Sequence, residues 1–383
     1  MGPVLRTLPI ADRFRQAGYT IAFSIYDDKA AAYIQSRGYL YFPDDDPTLP
    51  DPLKVAPRSP VFYHLDHYFA QNGLLDVKFT RSWIRHRVKM LRQYKADLVF
   101  ADMSPHTVIA AKYLGIPTVS VTQSCFIPDG LRLRHWEDTP RNTPVVTPVV
   151  NQVLTELGLT QITCMEQLNR GDVTIIPGIP ELDPVKNGAA HYVGPLDTEG
   201  ILHSVPLNQP PYIVAYAGRL EDTSGSSGAE FVRMLADAFR DGMEQMIIAC
   251  SGNVGSLADE LPPSIRFIDS YSASRLAHSR LFIHHGGHGS CYSSIMAGVP
   301  SIIIPTHTER EFNARRMAEC GLAEYVMPRT FSHAQLRQLA QDVMNGDYRY
   351  GVQRICTEII GRHYQGAEAA YRLGVSLLAK EFC

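Results

Sequence analysis

Apolar and polar positions along the chain alternate between two periods, short buried runs of four to six residues and longer stretches with helical spacing. Pro3–Gln16 carries Leu5, Leu8, Ile10, Ala11 and Phe14 on one helical stripe, and Gly18 closes it. Tyr19–Ile25 reads as a strand, and Asp44–Pro60, rich in Asp and Pro, as a loop. Val61–Gln93 reads as helical, with aromatic residues among basic ones. Asp97–Ala101 and Ile116–Val121 are strands around a helix from His106 to Leu114 that ends at Gly115, and Asp172–Pro177 is a further strand. Pro128–Pro148, with many prolines and charges, is a loop over a cleft, and helix resumes at Asn151–Leu157. Leu202–Pro211 has three prolines and little periodicity, which marks a linker. Beyond it, strands at Tyr212–Ala217, Met246–Ala249, Ile265–Ile268, Leu281–His284 and Ser301–Ile304 alternate with helices, Ala229–Phe239 the cleanest, and Ala367–Phe382 is a last helix. Such alternation predicts parallel, doubly wound α/β sheets in two halves.

The richest chemistry lies where the Leu281–His284 strand runs into His285-Gly-Gly-His-Gly-Ser290. Gly286, Gly287 and Gly289 allow a sharp turn and close approach of a ligand. Ser290 opens a helix whose free amides face that turn, an arrangement suited to a diphosphate. Adjacent strand residues point to opposite faces, so His284 and His285 do not share an ion, and no metal site is expected. His285 is the phosphate-ligand candidate and His284 a packed core residue. Glu309 and Asn313 share a helix face at i, i+4 that either turns toward this site, Asn313 facing the turn, or is solvated surface.

His285, Gly286, Gly287, Ser290, Gly298, Val299, Pro300, Pro305, Glu309, Asn313 and Ala314 together resemble the donor motif of the UDP-sugar-dependent glycosyltransferases of family 1. The resemblance implies the GT-B fold, two facing Rossmann-like domains with a cleft between them. It is read as an N-terminal acceptor domain over 1–204, a donor domain over 205–365, and a C-terminal helix over 366–383 that packs back on the first domain. Tyr192-Val-Gly-Pro-Leu196 resembles the family's marker for the end of the first domain. Two positions depart from the motif: the acidic residue that holds a ribose hydroxyl is Ser293, and the glutamine after Glu309 is Arg310. The added cation suits an acidic sugar or a further phosphate. Gly218 and Arg219 fall where the family meets the diphosphate, and Tyr271 where it stacks an aromatic ring on uracil; by themselves they read as a strand-end turn, a solvated arginine and a loop tyrosine. Ser226, Ser227 and Gly228 are possible further amide donors.

Asp102 ends the Asp97–Ala101 strand, where ligands bind in open α/β sheets. On residues alone it is equally a cap of the following turn. Ala96-Asp-Leu-Val-Phe-Ala-Asp102 resembles the family's segment around a carboxylate that orients a histidine base. The position for that histidine holds Pro3, and the family's first strand would lie before Met1. The expectation is a gap in the first sheet, and a chain that binds donor but transfers poorly unless extended by a strand carrying a histidine. His64, His67 and His106 are the alternative bases.

Composition narrows the class further. At 383 residues the chain exceeds one core, and a net charge of −3 argues against a general nucleic-acid binder. No apolar run approaches the roughly 18 residues of a membrane span. The first residues include Arg6, Asp12 and Arg13 rather than a signal peptide, and seven scattered cysteines read as reduced thiols. The expectation is a cytoplasmic enzyme, monomer or homodimer, without cofactor. It moves a hexosyl group, with inversion, from a nucleotide sugar, UDP-linked by resemblance, to a hydroxyl of a small acceptor bound by Val61–Trp83 and Cys125–Trp136. The alternatives are a nucleotide-sugar hydrolase or epimerase, whose relatives the Arg6 helix resembles, and a silent sugar-nucleotide-binding auxiliary.

Overall fold

The computed structural model describes residues 2–43, 48–196, 212–219, 228–240, 242, 244–251, 261–328 and 330–380. The linker assigned to Leu202–Pro211, the boundary at 204, and Ser226 and Ser227 lie outside them.

In the second half, six parallel strands run β7 (Ile213–Arg219), β8 (Met246–Ser251), β9 (Ile265–Ile268), β10 (Leu281–His284), β11 (Ser301–Ile303) and β12 (Ala323–Tyr325). Their spatial order is β12-β11-β10-β7-β8-β9. The chain therefore winds outward in one direction from β7 and then in the other from β10. That reversal makes the β7–β10 seam the topological switch point, with its crevice at the carboxyl ends of the strands. Leu281, Phe282, Ile283 and His284 are all fully buried, because helices cover both faces of the sheet.

In the first half, the described residues form two separate groups of parallel strands. β1 (Ala22–Ile25) pairs with β2 (Leu40–Pro43), while β3 (Val99–Asp102), β4 (Thr118–Val121), β5 (Val173–Ile176) and β6 (His191–Tyr192) form a four-stranded sheet. The break lies between β1 and β3. Helix α1 (Gly2–Gln16) covers both groups: Val4, Leu8 and Ala11 pack with Ile25 and Ile34, and Ile10 and Phe14 with Val119, Val121 and Ile175. The C-terminal helix Ala367–Lys380 lies on the same cluster through Ala367, Ala370 and Leu377.

The stretch expected to be helical over Val61–Gln93 is two helices, Leu65–Ala70 and Val77–Tyr94. Periodicity hides the break, because capping decides it. Gly73, at φ +92°, turns the chain against Pro50, and the Asp76 carboxylate accepts from the Lys78 amide at 2.9 Å to start the second helix.

The two halves meet mainly along the helix Thr308–Glu319. The Phe62 amide donates to Thr308 Oγ1 at 3.0 Å, and Gln123 Nε2 donates to Asn313 Oδ1 at 2.9 Å. Asp183 accepts from the Ser124 amide at 3.1 Å and lies 3.3 Å from His288 Nε2.

Candidate donor and acceptor site

The glycine turn sits at the switch point. Gly286 has φ +87°, and a Cβ there would lie 2.7 Å from the Arg310 carbonyl oxygen, so the turn needs glycine. The helix His288–Ala297 follows, with Gly287 at its N-cap and no side chain capping its first amides. Those donors face the crevice, and their dipole favours an anion there.

His285 is oriented by its own turn. Its Nδ1 accepts from the Gly287 amide at 2.9 Å, so the ring proton resides on Nε2. That nitrogen lies against Gly218 at the end of β7: a Cβ on Gly218, whose φ is +73°, would be 3.0 Å from it. Burial, and next the charge of Arg310, hold the His285 imidazole well below its usual range. It is a neutral donor aimed across the β7–β10 seam. His284, fully buried, accepts from the Gly286 amide at 3.1 Å, and its Nε2 has no hydrogen-bond partner among the described residues. Burial pushes its pKa down to about 3.

Asn313 holds the turn. Its Nδ2 donates to the Gly286 carbonyl and to Glu309 Oε1, both at 2.8 Å, and its Oδ1 accepts from Gln123. All of these bonds are internal, so Asn313 ties together turn, helix and first half rather than presenting free valences. Glu309 keeps its second oxygen toward His307, at 3.8 Å, and Arg310 donates to Thr306 Oγ1. Tyr271 is half-buried, its ring edge-on to Tyr216 and Phe282 at 5.3 and 5.2 Å. Its hydroxyl is hydrogen-bonded with Ser293 and Ser290, and burial raises its pKa to about 12. Arg219 closes β7; Gly289 and Ser290 lie in the first turn of the helix, Ser290 buried.

On the facing side, Asp102 is at the end of β3 and is gripped by Arg6. The guanidinium donates from Nε to Oδ2 at 2.7 Å and from Nη2 to Oδ1 at 2.6 Å, with side-chain exposures of 19% for Arg6 and 5% for Asp102. Pro3, one turn earlier on α1, is exposed, and its carbonyl accepts from Thr7. Of the alternative bases, His64 caps a helix through Nδ1, accepting from the His67 amide at 3.1 Å. His67 stacks on Tyr63, with centroids 5.6 Å apart. His106 Nε2 lies 2.8 Å from Arg87 Nη2 and 3.0 Å from the Tyr26 hydroxyl. Since guanidinium only donates, that nitrogen is already occupied as an acceptor.

Arg6 is the partner of Asp102 that periodicity could not reveal: nothing local marks an arginine on an amphipathic helix as the mate of a residue 96 positions away. His135 and Glu311 were likewise hidden. They meet across the two halves at 3.1 Å with side-chain exposures of 1% and 0%.

Burial of neutral histidines sets an acid limit on stability. His284, His285 and His135 all have lowered pKa values, chiefly through desolvation. A base whose folded pKa is depressed contributes fully above its unfolded value, near 6.5, and loses that contribution as pH falls toward the folded value. Urea unfolding should therefore show stability dropping below pH 6.5, by up to about 1.4 kcal/mol per pH unit for His284 alone. A flat profile from pH 7 to 5 would mean these rings are already charged or hydrated.

The chain is similar in sequence and in fold to known proteins. Residues 233–372 match the family described as erythromycin biosynthesis protein CIII-like, C-terminal domain. Over 98% of this chain and 94% of the other, the fold superposes on the calicheamicin glycosyltransferase CalG4 with a TM-score of 0.71 at 19% identity. The fold is GT-B. It superposes also on the glycosyltransferase VinC, solved in complex with DTDP, with a TM-score of 0.66 at 18% identity over 99% and 97% of the two chains. Among sequences, this GT-B chain is 32% identical to the NDP-glycosyltransferase YjiC of Bacillus licheniformis over 118 residues, 30% of each chain. It is 22% identical to the PGL/p-HBAD biosynthesis glycosyltransferase of Mycobacterium tuberculosis over 360 residues, 84% of this chain and 80% of that one. The chain thus spans under a third of the length of the Bacillus relative. Among the described residues, no helix is long and apolar enough to cross a membrane.

Proposed function

We propose that this protein transfers a glycosyl group from a nucleoside diphosphate sugar to a hydroxyl of a small acceptor, with inversion at the anomeric carbon. The observation that carries the reading is the switch-point turn, where uncapped helix amides and the His285 Nε2–H converge on one crevice beside Gly218. The diphosphate lies on those donors, which stabilise the negative charge that grows as it leaves. Glu309 and Arg310 face the sugar. The acceptor enters from the first half. As its oxygen bonds to the anomeric carbon, the carbon–phosphate-oxygen bond breaks and the acceptor proton passes to Asp102. Arg6 occupies one lone pair on each Asp102 oxygen, leaving the others to receive that proton.

The nucleotide is a pyrimidine one, UDP or TDP. The Bacillus licheniformis relative is named an NDP-glycosyltransferase, and VinC was solved in complex with DTDP. Ser293 in place of a carboxylate removes a grip on ribose hydroxyls and so favours tolerance of the deoxy sugar in TDP. The setting is the cytoplasm, where such donors are made.

Release of nucleoside diphosphate from UDP-glucose and TDP-glucose, followed with and without an acceptor panel, tests this. Acceptor-dependent release with a glycosylated product is expected. Equal release without acceptor would replace the reading with a hydrolase, and tight binding without turnover would replace it with a silent auxiliary protein.

A further inference from the structure

A cavity of about 400 Å³ opens in the first half, lined by Tyr26, Leu49, Arg58, Gln71, Phe79 and Trp83 among others. Its aromatic wall is held rigidly. The Trp83 indole lies on the His106 ring, with centroids 3.7 Å apart and planes 14° from parallel. Its N–H donates to the Tyr26 hydroxyl at 2.5 Å, and that hydroxyl lies 3.0 Å from His106 Nε2. Because Arg87 donates to the same nitrogen, Nε2 is the unprotonated one, and the Tyr26 hydroxyl shares its single lone pair with Arg87. Trp83 therefore cannot turn without breaking its hydrogen bond to Tyr26 and its stack on His106. Phe79, one helical turn earlier, presents a ring within 13° of the Trp83 plane. A flat, fixed aromatic wall loses little entropy on stacking a flat ligand.

Two further features specify the ligand. Arg58 lines the cavity, is exposed, and forms no hydrogen bond or ion pair with any described residue. Leu49, on the same lining, is 83% exposed, an apolar lip with nothing packed over it. The wall also abuts the segment that carries Asp102, since His106 lies four residues beyond it.

We propose that this cavity takes a flat aromatic acceptor that bears an acid group, with Trp83 as the stacking face and Arg58 as the counter-charge. The assignment rests on the transferase reading only in naming the ligand an acceptor; the binding chemistry stands on the cavity. The ring's hydroxyl faces the Asp102 side and its acid group faces Arg58.

Calorimetry with 6-hydroxy-2-naphthoate and the neutral 6-hydroxy-2-naphthamide, without nucleotide, tests it. The naphthoate should bind about two- to fivefold more tightly than the amide, the size of a solvent-exposed charge contact. Arg58→Gln should erase that difference and leave amide affinity unchanged. Trp83→Leu, checked for an unchanged melting temperature, should weaken both ligands by about tenfold or more. Failure of both ligands to bind, equal affinity for the two, or full affinity in Trp83→Leu would each overturn the proposal. Binding as expected with no sugar transferred to either ring would support the pocket and count against the transferase reading alone.

Discussion

Asp102→Asn is expected to lower transfer by about a hundredfold or more while nucleoside diphosphate affinity changes by less than about threefold. The amide keeps the shape of the side chain but cannot take up the acceptor proton. It also breaks half of the fork with Arg6, whose two bonds of 2.7 and 2.6 Å need two acceptor oxygens. The cost of leaving a part-buried guanidinium half paired can reach roughly 2–4 kcal/mol. Stability must therefore be measured beside turnover. Arg6→Gln separates the two effects, because it removes the pair but leaves the carboxylate. If Asp102 takes the proton, Asp102→Asn will lose far more turnover than Arg6→Gln at comparable stability. Equal losses in both variants, matching their losses in stability, would make the pair a structural clamp for α1.

His285→Ala should weaken UDP or TDP by about ten- to over a hundredfold, the value of a charge-assisted hydrogen bond of roughly 1.5–3 kcal/mol. The ring is poised for that bond: Nδ1 is tied to the Gly287 amide, so the donor hydrogen on Nε2 points across the seam at Gly218. Burial also holds its pKa well below the usual imidazole range. A diphosphate brings negative charge beside a ring held neutral by burial, so binding should draw a proton onto the protein. Calorimetry in buffers of different ionisation enthalpy reads that uptake directly. Unchanged affinity in His285→Ala would remove the ring from the diphosphate site, and absence of proton uptake would leave it a neutral donor.

How much of this was legible before the fold was known differs from site to site. The donor turn was legible as a unit because its parts are local. Strand, glycines and helix start within ten residues, and the positive φ of Gly286 is a requirement that sequence states openly. Asn313 was placed facing the turn by its spacing from Glu309. What spacing could not say is that its three bonds are all internal, one of them to Gln123 in the other half, 190 residues away. The break between the helices at Leu65–Ala70 and Val77–Tyr94 is not legible in the sequence because the apolar pattern runs through it, while the Gly73 turn against Pro50 and the Asp76 cap mark it in the fold.

The sequence by itself determined the parallel α/β class and the location of the donor turn. Hydrophobic period, glycine placement and helix-start chemistry are properties of neighbouring residues, and they survive in a linear reading. Only the tertiary structure decided which groups face each other. The strand order β12-β11-β10-β7-β8-β9 brings Gly218 to His285, although 67 positions part them, because β7 and β10 become neighbours at the winding reversal. The packing of α1 on β3 gives Asp102 an arginine where the family resemblance implies a histidine. The Trp83–Tyr26–His106–Arg87 chain joins three elements that no local rule connects. Side-chain partners at long separation depend on how sheets and helices stack, and that is set by the whole core rather than by any one segment.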